Sequence, residues 1–251
     1  AMRTTLWAGL INTLKYNLNR QQTRVRLFET GLRFVPDAAT GLQQEAMFAG
    51  LIFGEQSTEQ WANKARKVDF FDLKGDLEAL LELGSLKTQV QWQRATHPAL
   101  HPGVSARLML GEQELGWAGV LHPSLEKALD LPGQVFVFEL HQQILLQRRV
   151  PRFQPVSRFP IIRRDLALLV ADTVSSAELL ACVKQDAPAF LREAEVFDVY
   201  RGQGVPDSSA SIAIRLILQD NERTLGEADV DTFINAALLR LNTQFGITLR
   251  T

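Results

Sequence analysis

In the last hundred residues, three runs alternate between apolar and polar side chains. From Asp165 to Val170, Leu166, Leu168 and Val170 share one parity, and Asp165, Ala167 and Leu169 share the other. From Ser209 to Leu218, Ile212, Ile214, Leu216 and Leu218 oppose Ser211, Ala213 and Arg215. In Phe197-Asp198-Val199-Tyr200, the pair Phe197 and Val199 opposes the pair Asp198 and Tyr200. A period of two is that of strands. Aligning the oily faces builds one core and leaves a second face of small and polar side chains with one aromatic, Tyr200. Helices packed on that second face would call for bulky aliphatics there, so the pattern predicts an uncovered face. A bare sheet face with a stacking ring suits unpaired nucleic-acid bases.

The segments between these strands predict two helices. Ser175-Ser176-Ala177-Glu178 has the form of a capping box, opening a helix that runs to near Pro188. A second box, Thr224-Leu225-Gly226-Glu227, opens a helix with Val230, Phe233, Ile234, Ala237, Leu238 and Leu241 inward, closed by Gly246. A short last strand is expected over Ile247–Arg250. With strand two over Ala194–Tyr200, the order is β-α-β-β-α-β, the ferredoxin-like arrangement with both helices on one sheet face.

The first part of the chain reads as α+β with mostly antiparallel strands. Leu6, Trp7, Leu10, Ile11 and Leu14 repeat at helical spacing after Thr4 and Thr5, either of which suits a cap. Strands are expected over Arg24–Glu29, Leu32–Val35, Met47–Phe53 and Val135–Leu140, and a hairpin over Ala106–Leu110 and Leu115–Leu121. Asp69 caps a helix carrying Phe70, Phe71, Leu73, Leu77, Leu80 and Leu81, with Gly84 past its end. That helical pattern begins almost at residue 1, and Ala1 precedes Met2, which predicts a fragment of a longer protein.

Between the two halves the composition breaks. Arg148, Arg149, Arg152, Arg158, Arg163 and Arg164 occur with no acid among them and with Pro151, Pro155 and Pro160 interspersed. The expected domains are therefore 1–147 and 158–251, joined by an Arg/Pro-rich linker over 148–157. The arginines fit either a phosphate-contacting strip or a solvated connection, and the sequence leaves both readings open.

Composition narrows the function. The 251 residues are 46% hydrophobic and 22% charged, with a formal net charge of −1, so no overall field draws the chain to nucleic acid or membrane. Residues 151–251 hold 11 Lys and Arg against 13 Asp and Glu. That balance suits a module reading a few bases while other parts of an assembly supply the backbone affinity. The single cysteine, Cys182, lies in a helical apolar pattern and reads as a buried core thiol in a reducing cytosol. No membrane-length apolar run or signal peptide is present, which predicts a cytoplasmic location. His97-Pro98, His101-Pro102 and His122-Pro123 read as turns, since a residue before proline leaves the helical region. No Gly-rich phosphate loop, nucleophile elbow or metal-ligand spacing is present, and the chain does not read as an enzyme by itself.

Several of these stretches resemble a known family. Arg158-Phe159-Pro160, Arg163-Arg164-Asp165-Leu166-Ala167, Phe197 through Gly202, and Leu218-Gln219-Asp220 through Arg223-Thr224-Leu225 resemble the ferredoxin-fold anticodon-binding domain. That domain ends the β subunit of bacterial phenylalanyl-tRNA synthetases. Arg24 through Phe34, Asp69 through Gly75, and Leu100-His101-Pro102-Gly103 through His122-Pro123 resemble the catalytic-like module preceding it. The resemblance implies a class II synthetase-like first domain without catalysis, lacking the Arg-x-Glu and the glycine-rich, arginine-ended run of that class. It further implies that a partner α subunit handles ATP, magnesium and phenylalanine, so this fragment carries no cofactor. The whole enzyme would be a heterotetramer of two α and two β subunits acting on tRNA(Phe).

The family's base-reading positions fall on Ala167, Asp198, Tyr200 and Ser211. In these roles Tyr200 stacks on a base, Asp198 accepts from amino or imino groups, Ser211 donates or accepts, and Ala167 leaves room. Arg158, Arg163, Arg164 and Arg201 are the expected tRNA-backbone contacts. The loop before Ser211 departs from the family, reading Asp207-Ser208-Ser209-Ala210 where a glycine and a lysine are common. Two other readings share the fold: a small-molecule regulatory module, and an acyl-phosphate hydrolase. The hydrolase requires a phosphate-cradling arginine that Ala171-Asp172-Thr173-Val174 does not supply.

Overall fold

The computed structural model describes residues 2–37, 41–147, 153 and 156–250. The chain divides into two compact units, 1–152 and 153–251. Of the arginine and proline positions expected in a linker, Arg148, Arg149, Pro151, Arg152 and Pro155 lie outside the described residues.

In the first unit the elements run α1 (Trp7–Leu18), β1 (Arg24–Asp37), β2 (Gly41–Gly54), α2 (Phe70–Leu83), β3 (Val90–Arg94), β4 (Leu100–Leu110), β5 (Gln113–Leu121), α3 (Pro123–Ala128), β6 (Phe136–His141) and α4 (Gln142–Leu145). Six strands form one antiparallel sheet in the order β1-β2-β6-β5-β4-β3. Helix α1 buries Leu6, Trp7, Leu10, Ile11 and Leu14 against Met47, Ala49, Leu51 and Val137. Helix α2 buries Leu73, Leu77 and Leu81 against the other parity of the same strands, including Ile52, Phe136, Phe138 and Leu140. The sheet is thus the middle layer of three.

The sequence expectation divided β1 at Gly31, whereas β1 is continuous through it and pairs with β2 in unbroken register. The glycine lies against the Arg3 side chain, which could shift for a larger residue. A Cβ there would lie 2.2 Å from Arg3 Nη2, and Arg3 crosses this point to pair with Glu29 at 2.5 Å and donate from Nε to Leu32 O at 2.8 Å. Helix α1 is also tied differently from expectation. Thr5 Oγ1 accepts from Trp7 N at 3.1 Å, but buried Glu139 on β6 accepts from Leu6 N at 2.7 Å and Thr5 Oγ1 at 2.9 Å. The carboxylate that satisfies the helix start therefore comes from 133 residues away. At all three His-Pro pairs the imidazole Nδ1 accepts the backbone N–H two residues on, Ala99 at 3.2 Å, Gly103 at 3.0 Å and Ser124 at 3.2 Å. Only His97-Pro98 is the expected turn: His101-Pro102 lies within β4, and His122 is the N-cap of α3.

The second unit runs β7 (Ile162–Ala171), α5 (Ser176–Lys184), β8 (Leu191–Tyr200), β9 (Ser209–Leu218), α6 (Glu227–Phe245) and β10 (Thr248–Leu249). Its antiparallel sheet has the order β10-β7-β9-β8, the ferredoxin-like arrangement. Leu179, Cys182, Val183, Val230, Phe233 and Leu241 of the two helices meet Leu168, Val170, Ile212, Ile214, Leu216 and Leu218 in one core. Burial pushes the Cys182 thiol up in pKa, opposed by the charge of Arg240. Ser175 and Glu178 form the expected reciprocal cap, Ser175 Oγ accepting from Glu178 N and Glu178 Oε2 accepting from Ser175 N. Helix α5 stops at Lys184, short of Pro188. Helix α6 begins two residues later than a Thr224 cap requires: Gly226 is its N-cap, and Asp229 accepts from Gly226 N at 3.0 Å.

Candidate nucleic-acid interface

The helix-free face of the second sheet is built in rows across β7, β9 and β8. Register places Asp165, Arg215 and Glu195 in one row, Ala167, Ala213 and Asp198 in the next, and Leu169, Ser211 and Tyr200 in the third. The first row is ionic: Arg215 Nη1 lies 3.2 Å from Glu195 Oε1, and its Nε lies 3.4 Å from Asp165 Oδ1. Arg163 also grips Asp165 through two nitrogens, at 3.1 and 2.5 Å. Hydrogen bonding from Arg163, aided by the nearby charge of Arg215, holds the Asp165 carboxyl below its ordinary pKa.

The second row is a shallow trough. Two alanines floor it, and at its end Asp198 is exposed with no hydrogen bond or ion pair among the described residues. An exposed, unpartnered carboxylate beside a floor of methyl groups can accept from the amino and imino edge of a flat heterocycle.

The third row is partly roofed. Tyr200 is 40% exposed. Its hydroxyl lies 3.4 Å from Gln203 O, and its ring folds back over Gly202, where a Cβ would sit 2.7 Å from the hydroxyl. Arg250, whose N–H bonds Ala167 O beyond the opposite side of β7, brings its guanidinium to 4.7 Å from the Tyr200 ring centroid. The two side chains therefore reach toward each other over β7 and β9. Ser211 lies in the row they span and is only 5% exposed. It has the expected parity, but it is not openly presented.

A second departure concerns Phe197. Period-two reading assigns it to the core, but a β-bulge between Val196 and Asp198 leaves it without a register partner on β9. Val196 packs against the core instead. The Phe197 ring is 43% exposed and lies over the Arg215 guanidinium, 4.5 Å from charge to centroid. A bulge adds one residue and breaks the parity beyond it, so Phe197, Asp198 and Tyr200 all belong to the uncovered face. Val199 keeps the other parity yet is 54% exposed, on an edge strand. Nothing in the residue types of this run signals the bulge. Arg250 was legible only as the end of an expected strand.

The four arginines expected at the tRNA backbone separate. Arg163 lies on the open face, engaged with Asp165. Arg164 has the opposite parity and pairs with Glu227 at the start of α6, so it does not belong to this face. Arg201 pairs with Asp172 at 2.6 Å and donates to Ser209 O at 3.2 Å. Arg158 is exposed and makes no ion pair among the described residues.

Comparison with known proteins matches both units. Residues 1–142 match the family described as phenylalanyl tRNA synthetase beta chain CLM domain, and residues 157–250 match the ferredoxin-fold anticodon binding domain. The phenylalanine–tRNA ligase beta subunit of Pasteurella multocida is 46% identical over 252 residues, covering 100% of this chain and 32% of that protein. The protein of the same name from Methylococcus capsulatus is 47% identical over 249 residues, covering 99% of this chain and 31% of that one. The chain thus spans about a third of the length of these relatives.

Proposed function

Because the chain belongs to the phenylalanine–tRNA ligase beta-subunit family, we propose that its second unit reads the anticodon of tRNA(Phe) on the uncovered sheet face and its first is a non-catalytic scaffold for the α subunit. The observation that carries the first half is the trough of Ala167 and Ala213 ended by unpartnered Asp198 and bordered by Tyr200. In this reading a base stacks on Tyr200 and presents donors to Asp198, Ala167 provides clearance, and Ser211 contributes once Arg250 moves aside. Arg158, Arg163 and Arg201 lie nearest the RNA backbone.

The scaffold reading is supported by the family match of residues 1–142; within that unit Arg33 is engaged by Glu45 at 2.6 Å and by Glu139 at 2.9 Å. ATP, magnesium and phenylalanine then belong to the α subunit, in a cytoplasmic assembly of two α and two β subunits. Among the described residues, no helix is long and apolar enough to cross a membrane.

The test is binding of tRNA(Phe), and of the same tRNA with its anticodon replaced, to the ligase assembled with its α subunit. Tyr200→Ala is expected to weaken binding of the natural tRNA by about 1–3 kcal/mol and to narrow the gap to the replaced one. Unchanged affinity for both would refute base reading by this face.

A further inference from the structure

We infer that Phe197 is a second base-stacking ring on this face, serving a base other than the one on Tyr200. The inference rests on the anticodon-reading proposal and deepens it. Three observations converge. The bulge after Val196 turns Phe197 out of the core, although the period-two pattern of its neighbours places an apolar side chain inward there. The exposed ring does not lie loose on the surface: Arg215 supports it from beneath at 4.5 Å, and Arg215 is itself fixed by Glu195 on one side and Asp165 on the other. A guanidinium under one face leaves the other available, and a ring held in that way is a preformed platform that loses little freedom when a base lands on it.

Spacing assigns the two rings to different bases. Phe197 and Tyr200 stand three residues apart on β8, about 7–10 Å along the strand once the bulge is allowed for. A purine is too narrow to lie flat on both. Between them lies Asp198, exposed and in register with Ala213, so the order along the strand is ring, acceptor, ring. A single-stranded segment crossing β8 would meet a stacking surface, an edge-reading group and a second stacking surface in turn. Aromatic platforms of this kind act on any base. Phe197 is therefore expected to contribute affinity, and Asp198 discrimination.

The experiment uses the assembled ligase and compares Phe197→Ala, Phe197→Leu, Phe197→Trp and Tyr200→Ala for tRNA(Phe) binding, with thermal midpoint and α-subunit assembly measured alongside. Phe197→Ala and Phe197→Leu are expected to weaken tRNA binding about 5- to 100-fold with the midpoint and assembly preserved. Phe197→Trp is expected to restore binding, with an added tryptophan emission that tRNA quenches. Leucine keeps apolar bulk without a ring, so a loss in Phe197→Leu separates stacking from packing. If both ring-less variants bind like the parent while Tyr200→Ala loses affinity, this inference is wrong and the anticodon reading stands. If Tyr200→Ala also binds like the parent, the reading beneath it falls as well. Loss of assembly with unchanged tRNA affinity would make Phe197 a protein contact and overturn the inference.

Discussion

Arg250 and Tyr200 decide what the third row of the open face presents. With the guanidinium 4.7 Å from the ring centroid, a base stacking on Tyr200 must share or displace a cation, and the hydroxyl of Ser211 lies in the spanned row. Arg250→Ala is expected to speed chemical nitration of Tyr200, read by mass spectrometry of its peptide, because a cation–π partner is removed. The chain holds one internal reference, since its other tyrosine, Tyr16, carries its own guanidinium, Arg20 at 3.4 Å. Tyr16 should react at an unchanged rate. Equal Tyr200 rates in both proteins would mean that Arg250 does not cover the ring. At this scale the sequence was legible wherever alternation persisted: Ala167, Asp198 and Tyr200 have the parity their neighbours predict. It misplaced Phe197 in the core, because a bulge is an extra residue and not a residue type, and it gave no sign that Ser211 is only 5% exposed.

Among the elements, α6 shows how a cap can be read correctly in kind and wrongly in place. Thr224 and Glu227 have the spacing of a capping box, but the capping carboxylate is Asp229, acting on Gly226, which has no side chain to reciprocate. Asp229 accepts from Gly226 N and is gripped by Arg223 at 2.7 and 2.9 Å. The Arg223 hydrogen bonds, then the Gly226 N–H, lower the Asp229 pKa from 3.8 to about 2. A carboxylate with a folded pKa below its unfolded value contributes stability that is complete above the unfolded pKa and is lost as pH falls through the folded one. The contribution of Asp229 is therefore present above about pH 4 and drains away between pH 4 and 2. Asp229→Asn is expected to lower the thermal midpoint at neutral pH and to flatten its decline across that acid window. A parallel decline in parent and variant would show that this cap does not titrate with folding. Ser175 and Glu178 were legible because both halves of their box are local in sequence. Glu139 was not legible as the anchor of α1, because its strand and the helix meet only through the sheet.

For the whole molecule, the separate cores matter most. The two hydrophobic clusters on either side of the six-stranded sheet draw only on residues of the first unit, and the third draws only on Ile162 to Ile247. A unit with its own closed core satisfies the condition for folding alone. Residues 153–251, expressed by themselves, are expected to melt in one cooperative transition with an enthalpy of about 60–80 kcal/mol, the value for a domain of roughly 100 residues. A broad, non-cooperative melt would show that the second unit depends on the first. The same fragment bears on function through its charge. Its 10 basic and 13 acidic residues leave a net of −3, and Arg163, Arg164, Arg201, Arg215 and Arg223 are each paired with a carboxylate. Phosphate neutralisation dominates RNA affinity, so the folded fragment should bind tRNA weakly while retaining whatever preference its open face has for one anticodon. Titrating natural and anticodon-replaced tRNA against it at two salt concentrations checks this. A residual preference with a shallow salt slope is the expected result. A steep slope with no preference would mean that the arginines, and not the rows of Asp198 and Tyr200, form its contact with RNA.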